Sequence, residues 1–170
     1  MKRNILITVI TAVLLAAAVI TGIALSRPAQ SEGGFDRDII DRVRITVDAT
    51  QFTVEKPENA DALCELEFQL CIQKTEADFY AMLRSADLEG LDYESMIFQT
   101  ASGDVCVPQD LTLPAENGKP VPVEWTVRVR FAPATAQTLD FSLALNYVSG
   151  ITQETAEEHV LKIPMQIVVK

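Results

Sequence analysis

Hydrophobic and polar residues alternate strictly along three stretches near the C-terminal end of the chain. In residues 123–131, apolar side chains occupy every second position, and Glu, Thr and Arg lie between them. The same period of two recurs over residues 139–147 and 161–169. Strict alternation indicates β-strands with one buried face and one solvent face. Three such strands need a second layer to cover their apolar sides.

Shorter apolar segments upstream are the candidates for that second layer. They span residues 43–49, 52–55, 63–73, 95–100 and 105–113. Asn117-Gly118, followed by Pro120 and Pro122, predicts a turn before the strand that contains Trp125. Short strands separated by turns predict a mainly β fold, an antiparallel two-layer sandwich of the immunoglobulin-like kind.

One segment departs from the period of two. The apolar residues at positions 79, 82, 83 and 86 recur at helical spacing. Thr75 and Asp78 precede them as candidate capping residues, and Gly90 follows as a stop signal. This pattern predicts one short inserted helix over about residues 76–88. Its apolar stripe is expected to face the core, with docking to a partner as the alternative.

The N-terminal part of the chain has a different pattern, because no charge occurs from Ile5 to Leu25. At ~1.5 Å per residue this stretch forms a helix roughly 31 Å long, enough to cross a bilayer. Lys2 and Arg3 precede it, which predicts a cytoplasmic N-terminus and an exported C-terminal part. We therefore assign residues 1–4 to a cytoplasmic stub, 5–25 to a transmembrane signal anchor, 26–38 to a linker and 39–170 to one extracytoplasmic domain.

Cleavage of the N-terminal segment is the alternative to this single-pass arrangement in the cell membrane. Ala24-Leu25-Ser26 offers small residues for a signal peptidase, and cleavage would make the protein secreted. The apolar run is longer than the ~7–15 residues of an ordinary signal core, which favours retention as an anchor. In both cases the domain is exported.

The charge of the chain excludes some partners. Its formal net charge is −10, and every acidic residue follows the predicted span. Nucleic acids and anionic lipid surfaces both require clustered Lys and Arg, so neither is an expected partner of the domain. A soluble, solvated surface explains the acidity most simply.

Three cysteines occur in the predicted exported part. Cys64 and Cys71 belong to one predicted strand, and their odd separation places them on opposite faces. Cys64 shares its face with apolar residues and is expected to be a buried hydrophobe. Three free thiols are favoured over one disulfide that includes Cys106, because a domain of this size can bury a stable core without a covalent cross-link. Cys64 and Cys106 both precede Trp125, so the Cys–Trp–Cys order of true immunoglobulin domains is missing.

The search for catalytic residues finds no motif. His159 is the single histidine, which excludes sites built on several imidazoles, and its place before the last strand indicates a solvent-facing side chain. No Gly-x-Ser-x-Gly elbow, phosphate loop or paired-cysteine zinc pattern occurs. We therefore expect neither enzymatic activity nor a cofactor.

Two acidic groups are weak candidates for calcium binding, which needs several oxygen ligands from a flexible loop. One surrounds the glycine at position 90, and the other lies at the start of the predicted domain. Neither matches the twelve-residue calcium loop. Their members are Asp87, Glu89, Asp92 and Glu94 in the first group, and Asp36, Asp38 and Asp41 in the second.

Aromatic residues could also stack on sugar rings, but most of them occupy the apolar phase of their strands and are expected in the core. Tyr80 and Tyr93 are the two aromatic residues expected to be exposed. The core aromatic residues predicted from the pattern are Trp125, Phe131, Phe141 and Tyr147.

The function predicted from these patterns is that of a non-enzymatic interaction or structural module of the cell envelope, with another envelope protein as its partner. A module that binds a cell-wall polysaccharide, a small solute or calcium is the alternative. Pro164, inside the last predicted strand, indicates an edge or a bulge, because proline donates no ladder hydrogen bond. Such an edge can accept a strand from a neighbouring protein.

Overall fold

The computed structural model describes residues 30–32, 34–40, 42–57, 62–132 and 137–170. Over these ranges the chain forms fourteen strands and no helix. In chain order the strands are β1 (Gln30–Glu32), β2 (Phe35–Ile40), β3 (Val43–Val47), β4 (Gln51–Val54), β5 (Cys64–Lys74), β6 (Tyr80–Glu89), β7 (Ser95–Gln99), β8 (Val105–Cys106), β9 (Leu111–Thr112), β10 (Ala115–Glu116), β11 (Lys119–Pro120), β12 (Val123–Phe131), β13 (Thr138–Gly150) and β14 (Glu157–Val169).

Twelve of these strands form two sheets of six. Sheet A has the order β1-β4-β14-β13-β6-β9, and sheet B has the order β2-β3-β5-β12-β7-β8. The remaining pair, β10 and β11, is a small hairpin closed by Asn117 and Gly118, which have φ values of 50° and 72°. The mainly β, two-layer sandwich predicted from the alternation is confirmed, and so is the Asn-Gly turn.

The core lies between the two sheets and consists of the apolar phases of their long strands. Along β12 the side chains of Trp125, Val127, Val129 and Phe131 are almost completely buried. The ring of Trp125 meets Phe98 of β7 edge-on, with centroids 6.1 Å apart. All four aromatic residues predicted for the core are buried. Trp125, Phe131, Phe141 and Tyr147 are thus packing residues, and their rings are closed to a sugar ligand.

The pairing is not wholly antiparallel, which corrects the predicted topology. β4 runs parallel to β14, with Gln51 opposite Gln166 and Val54 opposite Val169. This pairing arises because the chain changes sheets between β3 and β4. The chain also changes sheets between β1 and β2. β1 pairs antiparallel with β4 in sheet A, and β2 pairs antiparallel with β3 in sheet B. Part of the segment 26–38, predicted as a linker, is thereby built into both sheets.

The predicted helix over residues 76–88 is wrong, because this segment contains β6. The register against β13 shifts at Arg84, where Ser85 opposes Asn146 but Leu83 opposes Tyr147. This bulge changes which residues face the core, so positions 81 and 83 are buried before it and position 88 after it. An alternation whose phase changes midway produces apolar spacings of three and four. Such spacings resemble those of an amphipathic helix.

The three cysteines are free thiols. Cys64 is buried in the core, as predicted, whereas Cys71 lies half-buried on the opposite face of the same strand. Burial raises the pKa of both thiols, and the charge of Glu124 raises that of Cys71 further. Cys106 accepts a hydrogen bond from the indole Nε1 of Trp125 at 3.2 Å.

The predicted transmembrane segment 5–25 lies outside the described residues. Within the described ranges, no helix is both long enough and apolar enough to cross a membrane.

Candidate functional site: an open strand edge and an end cleft

Three turns meet at one end of the sandwich. They are the β2–β3 turn with Arg42, the turn over residues 75–79 between β5 and β6, and the turn over residues 151–156 between β13 and β14. The N–H of Thr75 donates to the carbonyl of Arg42 at 2.9 Å, and Tyr80 pairs with Gly150. Between Arg42 and the turn over residues 151–156 is an open cavity of about 280 Å³, which we call the end cleft. Its wall includes Arg42, Ser149, Ile151, Thr155, Glu157 and His159.

Gly150, which also lines the end cleft, lets the third turn fold close to β13. A β-carbon at this position would lie 2.7 Å from the Cα of Ala156 and 2.8 Å from the carbonyl oxygen of Thr155. Both contacts are with backbone and are too short for any side chain to relieve. The shape of the cleft therefore depends on a glycine at this position.

Arg42 has an unusual environment. Its φ of 70° lies in the left-handed region that side-chain-bearing residues rarely adopt. Its guanidinium carbon lies 3.9 Å from the centroid of the Phe79 ring, a cation–π contact. Its Nη1 is buried and finds no hydrogen-bond acceptor among the residues that the structure describes. Leaving such a donor unpaired costs about 1–3 kcal/mol.

His159, predicted to face solvent, is half-buried and forms part of the cleft wall. Its ring lies against Tyr147, its cross-strand partner on β13, with centroids 5.2 Å apart. Ser149, one of two buried polar residues in the described chain, lies opposite Glu157. Histidine, hydroxyl and carboxylate groups thus share one cavity with a cation.

The open edge of β14 begins at this same end. β14 pairs with β13 from Glu157 to Val168, but β4 covers its other side only from Gln166 to Val169. In the part of the chain that the structure describes, no strand pairs with Glu157–Met165 on that side. We call this stretch the open edge.

Backbone hydrogen bonds fix the direction of the N–H groups in β14. The N–H of Gln166 donates to Thr50 on the β4 side, whereas that of Val169 donates to Gln137 on the β13 side, both at 2.9 Å. Because these directions alternate along a strand, residues 158, 160 and 162 direct their N–H groups outward from the open edge. Pro164 shares this phase and has no N–H to leave unpaired. Sheet A places β14 between β4 and β13, but β4 begins to pair only at Gln166, so Pro164 lies at a locally uncovered position among the described strands.

Apolar side chains accompany the open edge. Val160 is 64% exposed in the middle of it, and Ile151 is 64% exposed in the adjoining turn. Lys162 is exposed as well, and it pairs with Glu89 of β6 across sheet A. A lysine and a proline are typical protections of a strand edge. The unprotected part of the open edge is therefore the short stretch around Val160.

The carboxylates proposed for calcium have other partners. Asp87 accepts hydrogen bonds from the hydroxyl of Tyr93 at 2.6 Å and from the N–H of Leu88 at 2.8 Å, and Glu89 pairs with Lys162. Asp92 and Glu94 lie on the surface of the following loop. No group of three or more metal-binding side chains occurs within the described ranges.

The second acidic group contributes no described site. Asp36 and Asp38 lie in β2, and Asp41 lies outside the described residues. Tyr80 and Tyr93, expected to be exposed, are both half-buried.

Sequence reasoning noted Pro164 and His159 but missed Arg42 and Ile151. Arg42 follows Asp41 between two apolar segments, which is the composition of a turn, but nothing local indicates a stacked and unpaired guanidinium. Ile151 follows the end of a long alternating segment, where an exposed aliphatic residue has no distinctive pattern. Both residues acquire their role from turns that are distant in sequence.

No protein-family model matches the sequence, and no curated protein matches it. Among solved structures, the chain is similar to the CooA pilin subunit from enterotoxigenic Escherichia coli, at 11% identity and a TM-score of 0.43 over 74% of this chain and 98% of the pilin. It is also similar to the GAE domain of yeast GGA1, at 10% identity and a TM-score of 0.42 over 78% of this chain and 98% of that one. A PapD-like domain of human CEP192 shows 13% identity and a TM-score of 0.38 over 84% of this chain and 98% of that domain. At these values the likenesses carry no argument about function.

Proposed function

We propose that this protein is a non-enzymatic interaction module of the cell envelope, which binds an extended segment of a partner protein along the open edge of β14. The observation that supports the proposal is that no described strand covers the outward N–H groups of residues 158, 160 and 162, since β4 pairs with β14 only from Gln166 onward. Backbone N–H and C=O groups on a sheet edge are a template for another strand. Exposed Val160 and Ile151 add apolar surface beside that template.

The length of the open edge limits the partner. Three outward N–H groups, at positions 158, 160 and 162, are available to a new strand, and Pro164 ends the series. A partner strand would therefore pair over a short stretch and derive specificity from contacts with Val160 and Ile151. Short edge pairing of this kind suits a reversible interaction more than permanent assembly.

The envelope location rests on the sequence. The uncharged stretch from Ile5 to Leu25, preceded by Lys2 and Arg3, supports a single-pass anchor with the sandwich on the outer side of the membrane. Residues 1–4 and 5–25 then act as stub and anchor, the part of the segment 26–38 that precedes β1 acts as the linker, and the sandwich up to residue 170 is the displayed module. Protease treatment of intact cells tests this arrangement. Digestion of the domain from outside is expected, and full protection until the membrane is permeabilised would contradict it.

Photocrosslinking tests the open edge directly. A photoreactive residue at Glu158 of the full-length chain in its native membrane is expected to capture a defined partner. The matched control is the same residue at Val107, which is 77% exposed and follows β8 in sheet B. Equal capture at both positions would contradict the proposal.

Proline substitution separates backbone pairing from side-chain contact. Val160→Pro removes an outward N–H and leaves the bonds to β13 in place, so we expect the crosslink from position 158 to fall at least tenfold. Val160→Thr retains the N–H and should keep most of it. An unchanged crosslink in the proline variant, with the fold intact by circular dichroism, would reject strand addition.

A further inference from the structure

We infer that the end cleft is a binding site for a monocarboxylate that carries an aliphatic group. This inference goes beyond strand addition, because it concerns a different surface and different atoms. Two sources share this chemistry, a free α-amino acid and the C-terminal residue of a peptide.

The carboxylate is assigned to Arg42. The Phe79 ring lies against the guanidinium, at 3.9 Å from its carbon, and a ring face satisfies none of the in-plane N–H groups. Nη1 is buried without an acceptor in the described part of the chain, so a ligand in the cleft would meet the other N–H groups of the guanidinium. The ion pairs of Arg84, Arg128, Arg130 and Lys162 lie outside the cleft. A carboxylate is the partner whose two oxygens match the fork of a guanidinium.

The rest of the wall favours a small monoanion. A cavity of about 280 Å³ lies just below the ~300–1,000 Å³ of sites for drug-sized ligands, so the ligand is small or enters by one end. Glu157 adds a negative charge that disfavours a second carboxylate on the ligand. The hydroxyl of Thr155 is hydrogen-bonded to Thr152, which holds this part of the wall in place, and exposed Ile151 offers an apolar contact for an aliphatic group.

The cleft is also held in shape by its backbone. Arg42 accepts a hydrogen bond from Thr75 through its carbonyl while its own backbone stays at a φ of 70°. The carbonyl of Phe79 accepts a hydrogen bond from the ammonium of Lys74 at 3.1 Å, which holds the turn that carries the ring. Preformed positions of the cation and the ring reduce the ordering that ligand binding requires.

Equilibrium dialysis of the full-length chain in detergent micelles tests the site, with N-acetyl-L-leucine and its methylamide as probes. The two differ in the carboxylate alone, so we expect saturable binding of the acid and at least tenfold weaker binding of the amide. Equal binding of both, or binding of neither, would overturn the inference. L-leucine and the peptide N-acetyl-Ala-Ala-Leu then distinguish the two sources by which one binds more tightly.

Variants connect the binding to the cleft. Arg42→Asn removes the guanidinium, and asparagine tolerates a positive φ, so we expect at least tenfold weaker binding of N-acetyl-L-leucine with the fold retained. Arg128→Gln, on the outer face of sheet B, is the matched control and should leave binding unchanged. Unaltered binding in the Arg42 variant would place the ligand elsewhere.

Two further variants change exposed residues: one tests the apolar contact in the end cleft, and the other tests whether the cleft is independent of the open edge. Ile151→Ser alters an exposed residue and should reduce the preference for N-acetyl-L-leucine over N-acetylglycine severalfold. Val160→Pro should leave the binding of both probes unchanged, because its N–H faces outward from the strand edge. An unchanged preference in the Ile151→Ser variant would show that Ile151 does not contact the ligand. Loss of probe binding in the Val160→Pro variant would contradict the claim that the end cleft and the open edge are separate surfaces.

Discussion

Strands β12 and β14 have the same alternation of apolar and polar residues but different neighbours. β12 pairs with β5 from Val123 to Phe131 and with β7 over Thr126 to Arg130. β14 pairs with β13 along nearly its whole length, but with β4 only at its last residues. β12 is thus paired on both sides over Thr126–Arg130, whereas Glu157–Met165, nine of the thirteen residues of β14, have no strand on one side in the described part of the chain. Equal hydrophobic patterns therefore support a structural strand in one sheet and a candidate binding strand in the other.

The outer faces of β12 and β14 also differ, in how far charged pairs cover them. Arg128 and Arg130 of β12 pair with Glu67 and Glu65 of β5, at 2.7 Å and 2.8 Å. On the outer face of β14, Lys162 pairs with Glu89 of β6, and the neighbouring outer-face residue Val160 is exposed. A charged ladder keeps the centre of sheet B solvated, whereas the open edge leaves apolar surface beside unpaired backbone.

The largest effect is expected in the buried face of β12. Trp125→Ala removes a side chain that is 1% exposed and contacts Phe98 and Cys106, so it should lower the free energy of unfolding by about 3–5 kcal/mol. Val160→Ala in β14 is the matched control and should change it by less than about 0.5 kcal/mol. Denaturant unfolding followed by circular dichroism measures both. Similar losses in the two variants would contradict the comparison.

Proline substitutions compare the backbone hydrogen bonding of β12 and β14 directly. Thr126→Pro removes an N–H from a strand that is paired on both sides, and should cost about 1–3 kcal/mol or prevent folding. Val160→Pro removes an outward N–H and should leave the free energy of unfolding nearly unchanged. A large loss in the Val160 variant would show that the edge is paired in the folded protein.

Gly150→Ala tests the turn that joins β13 to β14 at the end cleft. The added carbon would overlap the backbone at Ala156 and Thr155, so the free energy of unfolding should fall by about 1–3 kcal/mol. Gly118→Ala is the control for loss of a glycine, because no atom lies within 4 Å of its missing β-carbon. That control still carries the strain of a φ of 72°. Equal losses in the two variants would mean that contact with Ala156 and Thr155 does not contribute to the change in the free energy of unfolding.

A smaller effect is expected for the ion pairs of sheet B. Arg128 and Glu67 are about half exposed, and such pairs are worth about 0.2–1 kcal/mol. A double-mutant cycle with Arg128→Gln and Glu67→Gln measures the coupling energy, which should decrease in high salt. A coupling energy above this range, insensitive to salt, would indicate a larger structural role.

The smallest effect near neutral pH concerns Tyr93. Its hydrogen bond to Asp87, together with burial and the charge of that carboxylate, raises its pKa from 10.0 to about 12. The folded state therefore holds the proton more tightly than the unfolded state. This contribution is fully present below pH 10 and is lost as the pH rises through about 12. The difference in free energy of unfolding between wild type and Tyr93→Phe should narrow over this interval, and a constant difference would contradict the assignment.

Much of the fold could be predicted from the segments in which apolar and polar residues alternate strictly. Trp125, Val127 and Val129 mark β12 without reference to any other part of the chain, because burial of one sheet face selects every second residue. β6 was mistaken for a helix because its bulge at Arg84 depends on pairing with β13, which lies some sixty residues later in the chain. A local pattern contains no information about such a partner.

The candidate site was predictable only in part. Pro164 indicated an edge because proline lacks an N–H, whichever strand lies beside it. Arg42 gave no such signal, since its contact with Phe79 requires the β2–β3 turn and the β5–β6 turn to meet. The carboxylates around Gly90 formed a group in sequence but not in space, because strand pairing gave Asp87 and Glu89 other partners.

The sequence alone determined that the part of the chain after the predicted anchor is built mainly from β-strands and which side chains form its core, because the side-chain period of a strand is a local property. It also determined the uncharged N-terminal stretch and the predicted topology that depends on it. Tertiary structure alone decided which strands are neighbours, that β4 runs parallel to β14, and that no described strand covers the first part of β14 beside the cleft that Arg42 lines. The physical reason is that hydrogen bonds between strands and contacts between turns join residues far apart in the chain, and their selection depends on the packing of the whole sandwich.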